Sequence, residues 1–416
     1  MEQRRIRNIV GNIPEPEELY GRQPLLDHLW RQLQGNNVLL LAPRRFGKTG
    51  VMRHMLLKPQ GDYLPLYFDL EDVDSPAEFV WRLTGEVLRR GGLRRLLQRI
   101  RSLPGQITGW LKRTFDEIEF EGAKVKFKEA VADDWRTPAR RIMAELEKAP
   151  QTLLFILDEL PTMLERLAGP RGGKDPANEF LSWFRAVRLQ QKDRLRRHRF
   201  VVGGSIGIDP ILRRLGASET LNDFERVYVE PLAREEAQRL VADLAASLEI
   251  QCDEAVRSDL LALIGPAVPY FIHLLFSQLA LLPPAQRQLL TVDALQRVYR
   301  GRILGPTCKH YFEHYRQRLK RYRPGRERAA MGILRTVAES PHGRASWSRL
   351  FDVYQKSCKR GASELEFYEL MADLECDWYL VLDPNTNEYH FKLDVMRQWW
   401  QRWFGKPKGP SAGKEA

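Results

Sequence analysis

Short apolar segments alternate with amphipathic ones along the N-terminal half of the chain. The apolar segments have the length of buried strands and cover residues 38–42, 63–70, 152–160, 199–206 and 225–229. The pattern predicts a helix over 24–33, ahead of the first strand, and helices over 76–90 and 138–149 between later ones. Strands that alternate with helices favour a parallel sheet with right-handed crossovers. We therefore predict an α/β fold whose parallel sheet is doubly wound.

Residues 232–305 carry no strand signal. Helical stretches over 233–249, 253–264 and 269–282 predict a small helical lid. After a linker helix, further helices are predicted over 327–339, 346–359 and 363–376. Two apolar strands, 378–382 and 388–392, then flank turn residues from Asp383 to Asn387. Helices followed by such a hairpin predict a winged-helix domain, and an amphipathic tail over 395–404 is expected to pack on it.

These patterns divide the chain into predicted domains. The core is 1–231, with a basic helical insertion at about 91–137; the lid is 232–305, the linker helix with the winged-helix domain is 306–405, and a disordered tail is 406–416.

The first apolar strand leads into the most informative motif. Val38 to Ala42 are followed by a loop that ends in Gly-Lys-Thr and then by a helix, which is the layout of a phosphate-binding P-loop. Lys48 would bridge the β- and γ-phosphates of a nucleotide, and the Thr49 hydroxyl would ligate Mg²⁺. Glycine at 47 would let the backbone pass close to the phosphates. The predicted nucleotide contacts are Pro43, Arg44, Arg45, Phe46, Gly47, Lys48, Thr49 and Gly50.

Two acids follow the apolar run 152–157, whose continuous hydrophobicity predicts a central strand buried on both faces. Open α/β sheets hold their ligands at the carboxyl ends of the strands, where Asp158 and Glu159 fall. Asp158 is suited to hold Mg²⁺, and Glu159 to polarise an attacking water as the catalytic base. Ser205, at the end of the next strand, could sense the γ-phosphate or could be an ordinary turn serine.

Composition sets broader limits. The chain has 416 residues, 43% of them hydrophobic, and a net charge of +12. No apolar run approaches a membrane span, the first residues lack an apolar signal region, and the four cysteines are scattered. We therefore expect a cytoplasmic protein with no membrane partner. The positive charge favours anionic partners, nucleic acid first.

Two basic stretches bear on that expectation. Six arginines lie within 89–101, and 309–328 holds eight lysines or arginines with interleaved aromatic residues. Solvated or packed helices explain both, and phosphate contact is the alternative. The helix 363–376, which would enter the DNA groove if the winged helix bound DNA, is acidic and favours protein docking instead.

A second alternative is a zinc protease. His310, Glu313 and His314 match the inverted zinc-protease signature, although no third ligand is evident.

Taken together, these motifs resemble the STAND branch of the AAA+-related P-loop ATPases, in particular the archaeal-type ATPases. The resemblance covers roughly 17–405. It rests on Tyr20-Gly21-Arg22, on 42–49 with its doubled arginine, on Tyr67-Phe68-Asp69-Leu70, on Asp158-Glu159, on Gly204-Ser205, on Val229-Glu230-Pro231-Leu232 and on Gly265…Pro269-Tyr270. Two positions depart from the family pattern: Ala42 replaces the leading glycine of the P-loop, and Gly265 to Pro269 is looser than Gly-x-Pro.

The resemblance implies roles for these residues. Lys48 and Thr49 would serve phosphate and Mg²⁺, Asp158 the metal, and Glu159 catalysis, with Ser205 at the sensor-1-like position. Gly21 and Arg22 would lie near the nucleotide base, and Pro269 would approach the adenine from the lid. No arginine finger is identified; Arg213, Arg214 and Arg226 are as readily structural. Such proteins act as ATP-driven signalling switches with slow turnover, through partner proteins or self-association. The alternative is a nucleotide-regulated DNA-binding protein.

Overall fold

A computed structural model describes residues 6–89, 134–169, 175–189, 198–205, 207–322, 324–358 and 362–405. Within that part of the chain, a five-stranded sheet has the order β2-β3-β4-β1-β5, and its paired strands are parallel. The strands are β1 (Asn37–Ala42), β2 (Tyr63–Asp69), β3 (Thr152–Asp158), β4 (Arg199–Ser205) and β5 (Phe224–Tyr228). The predicted doubly wound α/β fold is confirmed.

One helix precedes these strands and others connect them. They are α1 (Gln23–Leu33), α2 (Lys48–Leu57), α3 (Pro76–Arg89), α4 (Arg136–Leu146), α5 (Leu160–Ala168), α6 (Asp175–Leu189) and α7 (Ile208–Leu215). The central strands are the most deeply buried, as their unbroken apolar runs require: Val38 to Ala42 and Leu153 to Asp158 are buried throughout. Sequence periodicity located α1 to α4, but α5, α6 and α7 were not predicted.

The rest of the chain is mainly helical. Its helices are α8 (Arg234–Ser247), α9 (Glu254–Ile264), α10 (Pro269–Leu279), α11 (Pro284–Gln288), α12 (Val292–Val298), α13 (Lys309–Leu319), α14 (Pro324–Glu339), α15 (Trp347–Ser357), α16 (Glu364–Cys376) and α17 (Asp394–Phe404). An antiparallel sheet has the order β6-β8-β7, built from β6 (Arg344–Ser346), β7 (Leu380–Asp383) and β8 (Glu388–Phe391). The hairpin was predicted; β6, α11 and α12 were missed.

The chain forms two compact units. The core unit is Ile13–Val229, and the C-terminal unit joins residues 6–12 to the described part of 230–405. The short N-terminal segment is tied in by hydrogen bonds from the backbone N–H of Ile6 to Ser247 Oγ, at 2.9 Å, and from that of Ile9 to His273 Nδ1, at 3.3 Å. The finer division into core, lid and winged-helix domains stays a prediction.

Two predicted segments lie outside the described residues, namely most of the insertion at 91–137 and the tail at 406–416. Among the helices that the structure describes, none combines the length and the apolar character needed to cross a membrane.

Candidate nucleotide site

The strand order brings the predicted motifs to one edge of the core sheet. β4 lies between β1 and β3. The last residue of β1, Ala42, is in register with Ser205, the last residue of β4, and Leu157 of β3 is in register with Val202. Because all three strands run in the same direction, the P-loop, Ser205 and the acidic pair leave the sheet at the same edge.

The P-loop has the backbone that its sequence requires. After Ala42 the chain turns, and α2 begins at Lys48. Gly47 has φ +88°, a left-handed conformation in which any side chain would be strained. Arg45 also has a positive φ, of 75°, so the loop holds some strain of its own. The tight turn presents the start of α2 toward the edge where the strands end.

Four predicted site residues converge there. Lys48 Nζ lies 3.0 Å from Glu159 Oε1 and 3.5 Å from Asp158 Oδ1. Thr49 donates a hydrogen bond from its hydroxyl to Asp158 Oδ2, at 2.8 Å. Lys48 is only 7% exposed and Asp158 only 2%. A buried cation between two carboxylates is an arrangement that the two acids stabilise jointly.

The Asp158 carboxylate accepts two further hydrogen bonds. Tyr67 of β2 donates its phenolic hydrogen bond to Oδ2 at 3.2 Å, and the Glu159 backbone N–H donates to Oδ1 at 2.9 Å. Burial, and then the nearby Asp158 charge, raise the pKa of the Tyr67 phenol well above its usual range. A Cβ added at Gly203 of β4 would lie 2.6 Å from Oδ1, so the carboxylate needs the glycine beside it.

Glu159 occupies the turn between β3 and α5 with φ +59°. Its Oε2 accepts a hydrogen bond from the Thr162 hydroxyl at 3.2 Å, while Oε1 faces Lys48. Burial alone would raise the pKa of this carboxyl, but Lys48 outweighs it, with Thr162 and Arg44 adding to the effect, and the pKa falls below its ordinary value. Glu159 is therefore ionised at neutral pH.

Arg22, whose place near the nucleotide base stays a prediction together with that of Gly21, contacts the P-loop. Arg22 is buried and donates from Nη2 to the carbonyl oxygen of Phe46 at 3.2 Å, just after Gly21 takes a φ of +60°. Phe46 is buried as well. Gly50 packs so closely on Pro14 of the core unit that an added Cβ would lie 3.0 Å from Pro14 Cγ. The contacts of Arg22 and Pro14 stabilise the P-loop. The sequence did not indicate this role for either residue.

The roles predicted for the remaining site residues stay predictions. Arg44 pairs on the surface with Glu71 at 3.4 Å. Pro269 opens α10 in the C-terminal unit, so its predicted adenine contact stays a prediction, as does the sensing role of Ser205.

The arginine-finger candidates Arg226 and Arg214 both have carboxylate partners. Arg226 forms a two-pronged pair with Asp209, at 2.7 Å for each oxygen, which raises the pKa of the Arg226 guanidinium. Arg214 lies 3.8 Å from Glu165. The geometry therefore gives Arg226 a structural partner within the core unit.

The site offers oxygen ligands for a metal. A threonine hydroxyl and a carboxylate 2.8 Å apart are the hard donors that Mg²⁺ takes together with substrate phosphates, so the residues fit that ion. Within the described residues, no group of three or more His, Cys, Asp or Glu side chains is arranged to hold a metal by itself. In the inverted zinc signature on α13, Glu313 pairs with Arg316 at 3.1 Å.

Comparison with known proteins gives the class of fold. No family model and no curated protein matches the chain. A Walker-type ATPase of Pyrococcus abyssi matches with a TM-score of 0.62 at 16% identity, over 95% of this chain and 99% of that one. The ORC2 protein of Aeropyrum pernix, in ADPNP-ADP complexes, gives 0.52 at 13% identity, over 95% and 98%. With its sheet order and P-loop, the chain has the fold of a P-loop NTPase.

Proposed function

We propose that the protein is an ATP-binding, slowly ATP-hydrolysing switch of the STAND type. The observation that supports this most is the convergence of two segments about a hundred residues apart. Lys48 lies 3.0 Å from Glu159 and 3.5 Å from Asp158, and Thr49 lies 2.8 Å from Asp158. This arrangement supports the proposal that phosphate-binding groups, metal ligands and a catalytic base lie side by side. The names of the two similar structures, one a Walker-type ATPase and one solved with ADPNP and ADP, agree with this proposal.

Nucleotide binding exchanges one ion pair for another. Lys48 leaves Glu159 and engages the β- and γ-phosphate oxygens, which offer more negative charge than one carboxylate. Thr49 and Asp158 would hold Mg²⁺, which neutralises charge on the phosphate oxygens when it is bound. Released from Lys48, the Glu159 carboxylate becomes free to turn toward a water molecule.

Hydrolysis then needs one base. A water oxygen attacks the γ-phosphorus, the bond to the bridging oxygen of the β-phosphate breaks, and Glu159 accepts the water proton. ADP and inorganic phosphate are the products. A carboxylate is a weak base at neutral pH, which fits slow turnover.

We infer that the nucleotide state sets the position of the C-terminal unit and its partner binding. Such a shift requires nucleotide contacts that differ between two states. The partner is proposed to be a protein, because α16 exposes Leu365 and Tyr368 among the exposed acids Glu364 and Glu369. An acidic helix with apolar anchors suits a basic protein surface and repels phosphate.

DNA binding has less support among the described residues. In the basic helix α13, Lys309 lies over the ring of Trp403 at 4.2 Å and Arg318 is buried against Asp377 at 2.9 Å. Phe312 stacks on Trp399 instead of facing solvent. Lys309, Phe312 and Arg318 therefore contribute to packing within the C-terminal unit.

The decisive experiment measures ATP binding and turnover for the wild type, Lys48→Ala and Glu159→Gln, each with and without duplex DNA. We expect slow wild-type hydrolysis, loss of binding in Lys48→Ala, and retained binding with turnover reduced at least about 100-fold in Glu159→Gln. DNA is expected to leave the rate unchanged; stimulation at physiological salt would favour the DNA-regulated alternative. A wild type that binds no nucleotide would contradict the proposal.

A further inference from the structure

Tyr67 lies in the strand next to the acidic pair. β2 and β3 are parallel, with Asp69 in register with Asp158 and Tyr67 in register with Ile156. Because side chains alternate along a strand, Tyr67 lies on the same face of the sheet as Asp158, two residues earlier. Its long side chain reaches forward to place the hydroxyl oxygen 3.2 Å from Asp158 Oδ2.

The carboxylate of Asp158 has donors on both oxygens. Oδ2 accepts from the hydroxyls of Tyr67 and Thr49, and Oδ1 accepts from the backbone N–H of Glu159. The terminal torsion of an aspartate is broad, so its plane is set by such partners and not by the backbone. Of these donors, only Tyr67 comes from a strand outside the P-loop and the acidic turn.

We propose that Tyr67 is a positioning residue that orients Asp158 for Mg²⁺. The inference rests on the proposed function, since it assigns a residue to the metal side of the same site. Mg²⁺ demands nearly ideal octahedral geometry with short ligand distances, so the plane of its carboxylate partner matters. Groups that hydrogen-bond to a metal ligand commonly alter metal affinity about 10- to 100-fold when they are removed.

The test separates metal affinity from nucleotide affinity. Tyr67→Phe keeps the ring and removes only the donor. Tyr63→Phe is the matched control, because Tyr63 lies on the same strand and its hydroxyl donates instead to the carbonyl oxygen of Leu33, at 2.7 Å. Thr49→Val is the reference for loss of a direct ligand. A fluorescent ATP analogue reports binding while Mg²⁺ is titrated, and again in EDTA, with thermal unfolding recorded for each variant.

We expect Tyr67→Phe to bind the analogue in EDTA as the wild type does, but to need about tenfold more Mg²⁺ for half of the metal-dependent gain in affinity. Tyr63→Phe should match the wild type, and Thr49→Val should lose the gain. An unchanged Mg²⁺ midpoint in a folded Tyr67→Phe protein would overturn the inference and leave the proposed function intact. Equal weakening with and without Mg²⁺ would also overturn it, because Tyr67 would then be structural. A wild type that binds no nucleotide would remove both.

Discussion

At the scale of single residues, the pair formed by Lys48 and Glu159 links stability to function. Lys48→Met leaves the buried Asp158 carboxylate and the partly buried Glu159 carboxylate without their cation, which should lower the free energy of unfolding by about 3–5 kcal/mol. Glu159→Gln alone should cost less, since Asp158 still faces Lys48 at 3.5 Å. The double variant should recover part of the loss, with a coupling energy of about 0.5–3 kcal/mol in a urea-unfolding cycle at pH 7.

The coupling should depend on pH in a defined direction. The pKa of Glu159 is lower in the folded protein than its ordinary value of 4.5, so the stabilisation is fully present above that value and is lost as the pH falls through the lowered one. The same cycle on Arg44 and Glu71 is the control, because both partners are about half exposed and 3.4 Å apart. That pair should give at most about 1 kcal/mol and weaken with salt. Additive effects at Lys48 and Glu159 would contradict the prediction.

At the scale of elements, the tight approach of β4 to the acidic turn predicts a sharp difference between two adjacent glycines. A Cβ at 203 would lie 2.6 Å from both Asp158 Oδ1 and Met52 Cε, whereas a Cβ at Gly204 would meet nothing nearer than Leu41 Cδ2 at 3.5 Å. Gly203→Ala should therefore cost about 1–3 kcal/mol of stability and weaken Mg²⁺-dependent ATP binding. Gly204→Ala should change both little. Thermal unfolding and nucleotide titration check this, and equal effects at the two positions would contradict it.

The same elements show what the sequence could reveal. The strands β1 and β3, the helix α2 and the acidic pair were predictable because each is a local pattern: an apolar run, a Gly-Lys-Thr loop, two acids at a strand end. Tyr67, Thr162 and Gly203 were not identified as site residues. Tyr67 contacts Asp158 from β2, and the register of β2 with β3 joins residues nearly a hundred positions apart in the sequence. Gly203 lies near Asp158 because β4 pairs with β3, and the sequence does not reveal this strand order. Thr162 belongs to α5, a helix that was itself missed.

Arg22 illustrates a different limit. The resemblance implies a place near the nucleotide base, which stays a prediction, and the structure adds a buried contact with the carbonyl oxygen of Phe46 that the sequence did not indicate. Burial of an arginine is uncommon and depends on a partner that only the folded loop supplies. Local sequence patterns therefore located the P-loop, whereas the contact of Arg22 with it was visible only in the tertiary structure.

At the scale of the whole molecule, the C-terminal unit joins segments that the sequence assigned to a lid and to a winged-helix domain. Trp403 of α17 donates its indole N–H to the carbonyl oxygen of Leu304 at 3.0 Å, and Arg402 bonds to the carbonyl oxygen of Arg300. Trp399 of the same helix stacks on Phe312 with ring centroids 5.7 Å apart. These contacts join α17 to residues 300–304, which end the predicted lid. We therefore expect the C-terminal unit to respond to nucleotide as one body.

Trp403→Ala tests this cohesion. The substitution removes the hydrogen bond to Leu304 and the ring beneath Lys309, so local opening of the lid segment's end should become easier by about 1–2 kcal/mol. Amide hydrogen exchange in residues 299–304 should then accelerate about tenfold, with β1 to β5 unchanged. Trp347→Ala is the control, because Trp347 packs on Phe351 and Phe367 within the same unit. If both variants accelerate exchange in 299–304 equally, the terminal helix does not fasten the lid segment, and lid and winged-helix parts would respond to nucleotide separately.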